Sequence, residues 1–412
     1  MTYAVINLIF AFFVADTLSL SQMHALAEQN WPSYSQLERS EQISDLRIES
    51  LRQTWLPDVF MNVSAQYHSE VTNIPFSAPG VTPPSQPHDR YSAVLEVQQT
   101  LWDGGMSRKR TELEKRSQIV NEQKVAVDLY ALKEQVNETF FSILLLDQRI
   151  NSLEIIIDEL HERQNLLEVR VESGLILPSQ LDILKLETLK ARQSISELQH
   201  LKLSAFDVLE ILTGTELSGD ETLVLDNIEI DQKRPELSLF DAQIESMRAS
   251  MELTKVNLMP KFSAFGQGGV GRPGPDIFND SFRPFFVVGV QGRWQLWDWR
   301  KSNRDRQELQ LGIRTIEESR KSFIRMQSVQ VSKQLARIES IEEQLAMDDE
   351  IISLRESVVK STSSQLENGV ITATEFLIEL NASHLSKLQR KIREIELFKA
   401  QTALKTINIS VE

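Results

Sequence analysis

The sequence predicts a mainly α-helical fold with a small β part, built as a twofold internal repeat. Three short segments recur in the same order about 195 residues apart. A repeat of this length has to be recognised before local patterns are interpreted. Each half is predicted to contain a β-hairpin followed by a long helical hairpin. The recurring segments are Leu56-Pro57-Asp58-Val59-Phe60 with Met259-Pro260-Lys261-Phe262, Gln99-Thr100-Leu101-Trp102-Asp103-Gly104 with Gln295-Leu296-Trp297-Asp298-Trp299, and Ser173-Gly174-Leu175-Ile176-Leu177 with Asn368-Gly369-Val370-Ile371-Thr372.

The composition argues against several kinds of partner and site. The formal net charge is -15. An acidic chain repels phosphate backbones, so we expect no nucleic-acid partner. The chain contains no cysteine, which rules out disulfides and thiolate metal sites. No stretch reaches 18 consecutive apolar residues, so no transmembrane helix is predicted.

Residues 1–15 are predicted to be a signal peptide. Their apolar run, from Ala4 to Val14, has the length of a signal-peptide core and is short for a membrane span. No Lys or Arg precedes this run, which departs from the usual pattern. The alternative is a buried N-terminal helix.

A linker separates the two repeats. We expect the first repeat at residues 16–213, the linker at 214–233 and the second repeat at 234–412. The linker contains two glycines and several acidic residues. The first repeat opens with a helical pattern over residues 18–55, which is broken near Pro32.

Two strands follow, at about residues 57–68 and 90–102. Apolar and polar side chains alternate along both, as expected for strands with one apolar face. The loop between them, residues 73–89, contains five prolines and cannot form regular structure. The apolar phase predicts a stripe that includes Val59, Met61, Val63, Tyr91, Leu95 and Val97.

Long helices occupy the rest of the first repeat. Good helix formers dominate a stretch without proline or glycine, which predicts a helix over about residues 104–172. Such a helix would be about 100 Å long, which is typical of an extended coiled or bundled body. Gly174 ends it, and Pro178 opens a second helix over about residues 178–212, following the usual asymmetry of helix ends.

The second repeat follows the same plan. A helix is predicted over residues 234–258, and a Gly/Pro-containing loop connects the two strands that follow. The strands and long helices are predicted at about 261–270, 285–296, 298–368 and 372–407.

The strands are long enough to cross a bilayer, since about 9–11 residues suffice for a tilted strand. Four strands cannot close a barrel alone, and open strand edges are not tolerated in lipid. Strands that span a membrane would therefore belong to a barrel shared by several chains. The alternative is two soluble hairpins packed on the helical body.

Asp103 and Asp298 mark the points where a strand passes into a long helix. A carboxylate there can accept hydrogen bonds from free backbone N–H groups and oppose the helix dipole. Gly104 and Gly105 allow the backbone angles of a sharp junction. We expect a structural role for all four residues.

With these motifs in duplicate and at matched spacing, the sequence resembles the TolC-like outer-membrane factor family from residue 18 to about residue 407. The resemblance implies a homotrimer in the outer membrane of a Gram-negative bacterium. It implies a shared 12-stranded outer-membrane β-barrel and a periplasmic α-helical tunnel. The segments that carry it are Leu101-Trp102-Asp103-Gly104-Gly105, Leu296-Trp297-Asp298, Arg234-Pro235-Glu236-Leu237, Val171-Glu172-Ser173-Gly174-Leu175 and Leu366-Glu367-Asn368-Gly369-Val370.

The resemblance also implies a function. Such proteins are exit ducts of tripartite efflux pumps or type I secretion systems, and conduct cargo passively out of the periplasm. The implied partners are a periplasmic adaptor (membrane fusion) protein, an inner-membrane transporter and outer-membrane lipid. The alternative is a periplasmic adaptor, or another long coiled-coil scaffold without a pore. An adaptor would normally show one helical hairpin rather than two.

Two sets of residues take roles from the resemblance. Gly174, Leu175, Gly369 and Val370 match the tips that dock the adaptor; simple helix-turn punctuation is the alternative. Glu375 matches an acid that lines the periplasmic pore mouth in the family, and Glu379, one turn on, could share its helix face; an ordinary solvated helix face is the alternative. The first-half equivalent of Glu375 is Gln180, and Ile378 stands where some members carry an acid, so the match is incomplete.

We expect no catalytic residues, no cofactor and no metal site. The sequence contains no phosphate-binding loop, supported nucleophile arrangement or zinc motif. Asp158-x-x-His161 and Glu197-x-x-His200 have the spacing of carboxylate-bridged metal ligands, but we interpret it as chance. A metal enzyme of the helical-bundle type is therefore the least favoured hypothesis.

Overall fold

The computed structural model describes residues 17–72, 86–226, 234–277 and 279–407. The predicted signal peptide, most of the proline-rich loop and part of the linker lie outside these residues. The elements, in chain order, are β1 (Thr17–Ser19), α1 (Leu20–Asn30), α2 (Pro32–Gln53), β2 (Asp58–Tyr67), β3 (Asp89–Trp102), α3 (Met106–Glu172), α4 (Pro178–Thr213), β4 (Thr222–Val224), α5 (Pro235–Val256), β5 (Lys261–Arg272), β6 (Arg283–Arg293), α6 (Lys301–Glu367) and α7 (Ala373–Ile407).

The described residues form two units. The first draws its residues from Met1–Gln36, Lys124–Ser238 and Arg320–Glu412, and the second from Leu37–Gln123 and Leu239–Ser319. The helices α3 and α6 therefore contribute to both units. No helix among the described residues combines the length and the apolarity needed to cross a membrane.

Two hydrophobic clusters stabilise the first unit. One joins α1, α4 and the middle of α3, where Met23, Phe140 and Leu209 are fully buried. The other lies where α3, α4, α6 and α7 meet, around Leu184 and Phe376. Each fully buried side chain of this size contributes about 1.5–3 kcal/mol of transfer free energy.

The predicted opening helix, residues 18–55, needs correction at its start. Residues 17–19 form β1, which pairs in parallel with β4, a strand inside the predicted linker. Ser19 then begins α1 through a capping box with Gln22. The pairing buries Leu18 and Leu223, which lie far apart in the sequence, so no local pattern indicates it.

The strand–helix boundary in the second half also differs from the prediction. The strand expected at 285–296 ends at Arg293, and the helix expected from 298 begins at Lys301. Trp299 and Arg300 have φ values of 56° and 62°. Two consecutive left-handed residues cannot continue a strand or start a right-handed helix. The other predicted boundaries of these elements differ by at most two residues.

The second unit contains a four-stranded antiparallel sheet with the order β2-β3-β5-β6. Met61 lies opposite Leu95, Leu95 lies opposite Gly268, and Gly268 lies opposite Phe286. The register shifts between Thr100 and Trp102, close to the end of β3. Within the described residues, β2 and β6 each have a hydrogen-bonded neighbour on one side only.

Arg234, immediately before α5, is a buried cation that connects three parts of the first unit. It donates to both carboxylate oxygens of Glu236 at 3.0 and 2.6 Å and to the carbonyl oxygen of Thr406 at 3.1 Å. Its guanidinium carbon lies 4.5 Å from the centroid of the Tyr130 ring. Burial acts to lower the pKa of Arg234, but Glu236 outweighs burial and raises it.

We expect Arg234→Ala to lower the free energy of unfolding by about 3 kcal/mol, because it leaves the half-buried carboxylate of Glu236 without its cation and removes the hydrogen bond to Thr406. The control is Arg248→Ala, since Arg248 pairs with Glu245 on an exposed surface and should cost less than about 1 kcal/mol. Denaturant unfolding in detergent, followed by circular dichroism, measures both. Equal and small losses would show that Arg234 does not hold these elements together.

Candidate functional site: an amphipathic sheet, two junctions and two helical tips

The four-stranded sheet has one continuous apolar face. Residues directly opposite each other on neighbouring strands point to the same side of a sheet. The register therefore carries the apolar phase of β2 and β3 across β5 and into β6. This face, called the apolar face below, includes Val59, Met61, Val63, Ala65, Tyr91, Ala93, Leu95, Val97, Ala264, Val270, Phe286, Val288 and Val290.

The apolar face is not covered by its own chain. Met61 is 72% exposed, Val63 70%, Phe286 81% and Val288 73%. Exposed apolar surface of this extent marks a site of contact with a membrane or with another protein.

The opposite side of the sheet, called the polar face below, carries hydrogen-bonding and charged groups. Asn62 donates to Glu96 at 3.1 Å, and the hydroxyls of Ser64 and Ser92 are 2.8 Å apart. Strands that alternate between apolar and polar residues suit a wall between lipid and water. Other polar members of the polar face are Gln66, Arg90, Gln98, Gln267, Gln291 and Arg293, and this face also includes the apolar residues Phe60, Val94, Phe265, Phe285 and Val287.

Asp103 turns the end of β3 into the start of α3. Its carboxylate accepts from the backbone N–H of Gly105 at 2.8 Å, and from the backbone N–H and hydroxyl of Ser107 at 2.6 and 2.5 Å. Gly104 and Gly105 have φ values of 75° and 87°, and a Cβ on Gly104 would lie 2.7 Å from the Cβ of Met259. Glycine is therefore required at this junction both by the backbone and by the space available.

Asp298 makes the corresponding junction in the second half, where no glycine follows the acid. Its carboxylate accepts from the backbone N–H of Ser302 at 2.8 Å. The two left-handed positions are occupied by Trp299 and Arg300 rather than by glycines. Such residues are held in strain by their surroundings.

Hydrogen bonding keeps both junction carboxylates ionised. Burial would raise the pKa of Asp103, but hydrogen bonds from Ser107, Gly105 and Met106 outweigh it and lower the pKa. Hydrogen bonds from Ser302 lower the pKa of Asp298. Negative charge at the first turn of a helix opposes the helix dipole, so both groups stabilise the helices that they begin.

The two helical tips have the same backbone geometry. Gly174 and Gly369 have φ values of 71° and 70°. At each tip, the backbone N–H groups of the glycine and of the next residue donate to carbonyl groups of the preceding helix, which forms a Schellman motif. The bonds run from Gly174 to Val171 and Leu175 to Arg170, both at 2.9 Å, and from Gly369 to Leu366 at 3.0 Å and Val370 to Gln365 at 2.8 Å.

Leu175 and Val370, which follow these glycines, are 75% and 71% exposed. A Cβ on Gly174 or Gly369 would meet no atom within 4 Å. The tips thus present apolar side chains that contact little of their own chain.

The two tips lie side by side within the first unit. Gln180, in the first turn of α4, accepts a hydrogen bond from the backbone N–H of Ala373 at 2.7 Å. Arg163 pairs with Glu367 at 3.1 Å and lies over the Phe376 ring at 5.5 Å. Gln180 therefore caps the N-terminus of α7. In the sequence Gln180 stands out only as the position equivalent to Glu375, which does not suggest this role.

The two predicted mouth acids have different surroundings. Glu375 is exposed and forms a capping box with Thr372, accepting from its backbone N–H at 2.8 Å. Hydrogen bonds from the backbone and side chain of Thr372 lower the pKa of Glu375. Glu379 is partly buried and pairs with Arg355 at 3.0 Å. The charge of Glu379 is therefore compensated within the chain, whereas that of Glu375 is directed to a helix N-terminus.

The described residues contain no group of three or more His, Cys, Asp or Glu side chains arranged to hold a metal ion. His161 lies 3.1 Å from a guanidinium nitrogen of Arg192. His384, which the sequence did not single out, is buried and bonded to Glu159 at 2.9 Å. This bond is the main cause of the lowered pKa of Glu159.

Sequence reasoning missed the contribution of β6 to the apolar face. Residues Phe285 to Val288 are all apolar, so alternation does not show which of them share the face. It also missed Arg355 opposite Glu379, because the partners lie on different helices. The Thr372-x-x-Glu375 capping box was visible in the sequence as a Thr three residues before an acid.

The sequence matches no protein-family model and no curated protein. The structure, in contrast, matches solved structures over nearly its whole length. The outer membrane protein VceC of Vibrio cholerae has a TM-score of 0.67 at 11% identity, covering 95% of this chain and 97% of VceC. The outer-membrane channel OprN has a TM-score of 0.69 at 14% identity, covering 94% and 89%.

The chain has the fold of TolC-like outer-membrane channels. A third match is the outer membrane channel MtrE of Neisseria gonorrhoeae, solved in an open state. Its TM-score is 0.65 at 12% identity, covering 95% of this chain and 89% of MtrE. The resemblance inferred from duplicated motifs is thus confirmed at the level of the fold. In this TolC-like fold, the amphipathic sheet and the two tips expose apolar side chains that their own chain does not cover.

We expect Val288→Arg to reduce folding into membranes by about 2–4 kcal/mol, because it places a charge on the apolar face near the middle of β6. Val287→Arg is the matched control. It makes the same substitution on the adjacent residue, which lies on the polar face, and should be tolerated. Refolding into lipid vesicles measures the difference. Equal tolerance of both variants would mean that the apolar face does not contact lipid.

Proposed function

We propose that this protein is the outer-membrane exit duct of a tripartite efflux pump or a type I secretion system. In this role it is a passive channel rather than an enzyme, located in the outer membrane of a Gram-negative bacterium. The observation that carries the proposal is the four-stranded sheet with an apolar face, a polar face and two open edges. Such a sheet is stable in lipid only as part of a closed barrel.

A homotrimer closes the barrel in the simplest way consistent with the fold. Three chains would supply twelve antiparallel strands, four from each, and leave no free edge. The long helices would continue the duct as an α-helical tunnel across the periplasm. The matched lengths of α3 and α6, both 67 residues, support the internal repeat on which this arrangement rests.

A periplasmic adaptor or a pore-free coiled-coil scaffold is the competing function. It accounts for the long helices, but it gives no reason for a sheet whose two faces differ so strongly. It also gives no reason for two helical tips with the same geometry in one chain. The duct accounts for both features.

The tips are the proposed docking site for a periplasmic adaptor, which would connect the duct to an inner-membrane transporter. Gly174, Leu175, Gly369 and Val370 present a small apolar surface at two neighbouring turns. Apolar side chains exposed on rigid turns suit a protein partner. Glu375 is the stronger candidate for the pore mouth, because Arg355 already compensates Glu379.

The experiment that tests the function combines mass and conductance. Light scattering with the detergent contribution subtracted should give the mass of three chains, and the same sample should conduct ions in planar bilayers. A monomer that retains its strand content, or a trimer that never conducts, would contradict the proposed duct.

We expect Leu175→Asp/Val370→Asp to abolish cross-linking to the adaptor in cells, while the trimer and its amount in the outer membrane stay normal. Asp replaces the apolar contact with charges that the interface would have to desolvate. The control is Ile211→Asp, which replaces a similarly exposed apolar side chain by Asp near the other end of α4. Loss of the trimer in the double variant would show that these residues pack between copies instead.

We expect Glu375→Gln to lower the cation selectivity of the channel more than Glu379→Gln. Three copies of a carboxylate that has no cationic side chain beside it favour cations around one axis, whereas Glu379 already has a cationic partner. Single-channel reversal potentials in a salt gradient measure this. Unchanged selectivity in both variants would place the two acids on an ordinary solvated surface.

A further inference from the structure

The two open edges of the sheet carry opposite charges at the same end. β2 begins at Asp58 and β6 ends at Arg293. Because these two strands run in opposite directions, the two residues lie at the same end of the sheet. Lys261, the first residue of β5, lies directly opposite Arg293. The register places all three on the polar face.

This arrangement is unfavourable in a single chain. Like charges directly opposite each other on neighbouring strands repel. The ion pairs of Arg272 with Asp89 and Asp280 lie at the other end of the sheet. Within the described part of the chain, Asp58, Lys261 and Arg293 have no ion-pair partner. One edge thus carries an excess of positive charge and the other a single negative charge.

We propose that β6 of one copy pairs with β2 of the next copy, with Arg293 opposite Asp58. The inference rests on the proposed trimeric barrel and specifies its seams. It assigns each Asp58 to the cationic pair Lys261 and Arg293 of a neighbouring copy. Since the two edges are different surfaces, the contact is head-to-tail and closes into a ring.

The hydrophobic pattern restricts the seam to registers of one phase, independently of charge. With Asp58 opposite Arg293, Met61 lies opposite Val290 and Val63 lies opposite Val288, so the apolar face continues across the seam. A shift of one residue would set polar side chains against lipid. A shift of two residues preserves the faces but moves Asp58 away from its position opposite Arg293, so charge selects among the registers that remain.

A charge-reversal cycle tests the pair. Asp58→Lys and Arg293→Glu should each weaken the trimer, and the double variant should recover most of the loss. A cross-strand charge pair changes an equilibrium by about 1.4- to 5-fold, so its loss at three seams predicts a fall in the association constant of between about 3-fold and about 100-fold. Sedimentation equilibrium in detergent measures that constant for the wild type, the two single variants and the double variant. Lys261 is unchanged in all four proteins.

The control cycle combines Arg293→Glu with Glu96→Lys. Glu96 is an acid on the same polar face, but it lies on the inner strand β3 and contacts Asn62. The charge reversal at Glu96 should therefore not restore the trimer association constant that Arg293→Glu lowers. Recovery in this control would mean that net charge, rather than the seam, governs assembly.

Cross-linking tests the register directly, since the natural chain has no cysteine. In the proposed seam Phe60 lies opposite Gln291, so Phe60→Cys/Gln291→Cys should cross-link neighbouring copies on oxidation. Phe60→Cys/Arg283→Cys, with the cysteines far apart along the strands, should not. A wild-type trimer that shows neither this cross-link nor recovery in the charge cycle would overturn the seam alone. A wild-type protein that is monomeric would overturn the proposed duct together with the seam.

Discussion

Backbone hydrogen bonding at the edges of one sheet constrains the rest of this protein. In lipid, no water would reach the N–H and C=O groups of β2 and β6, so the proposed barrel would have to supply partners for those edges from other chains. The apolar face of the sheet suits contact with lipid, and the polar face suits contact with water. Neither face provides hydrogen-bond partners for the backbone groups of the edge strands, which only a closed barrel would supply.

The junctions between strands and helices show how the chain changes direction at the end of the sheet. Asp103 and Asp298 each hold the first turn of a long helix, and two left-handed residues precede each helix. In the first half these residues are glycines, which adopt this conformation without strain. In the second half Trp299 and Arg300 adopt it, which shows that the junction geometry is maintained even where the residues do not favour it.

The region around the two helical tips is held together by hydrogen bonds and ion pairs between neighbouring helices. Gln180 caps α7, Arg163 joins Glu367 to the Phe376 ring, and Arg355 compensates Glu379. These contacts fix the positions of the tips and leave Leu175 and Val370 exposed. A rigid apolar turn can dock with little loss of conformational entropy, which is the property that the proposed docking role requires.

The sequence alone determined the long helices, the glycine turns and the strands, because each depends on local propensity and on the spacing of apolar residues. It also indicated the junction acids Asp103 and Asp298 through their repeated context. Only the tertiary structure decided the pairing of β1 with β4 and the partners of Arg234, since both join segments far apart in the chain. It likewise decided which of Val287 and Val288 belongs to the apolar face, because side-chain direction in a run of apolar residues follows from cross-strand register rather than from composition.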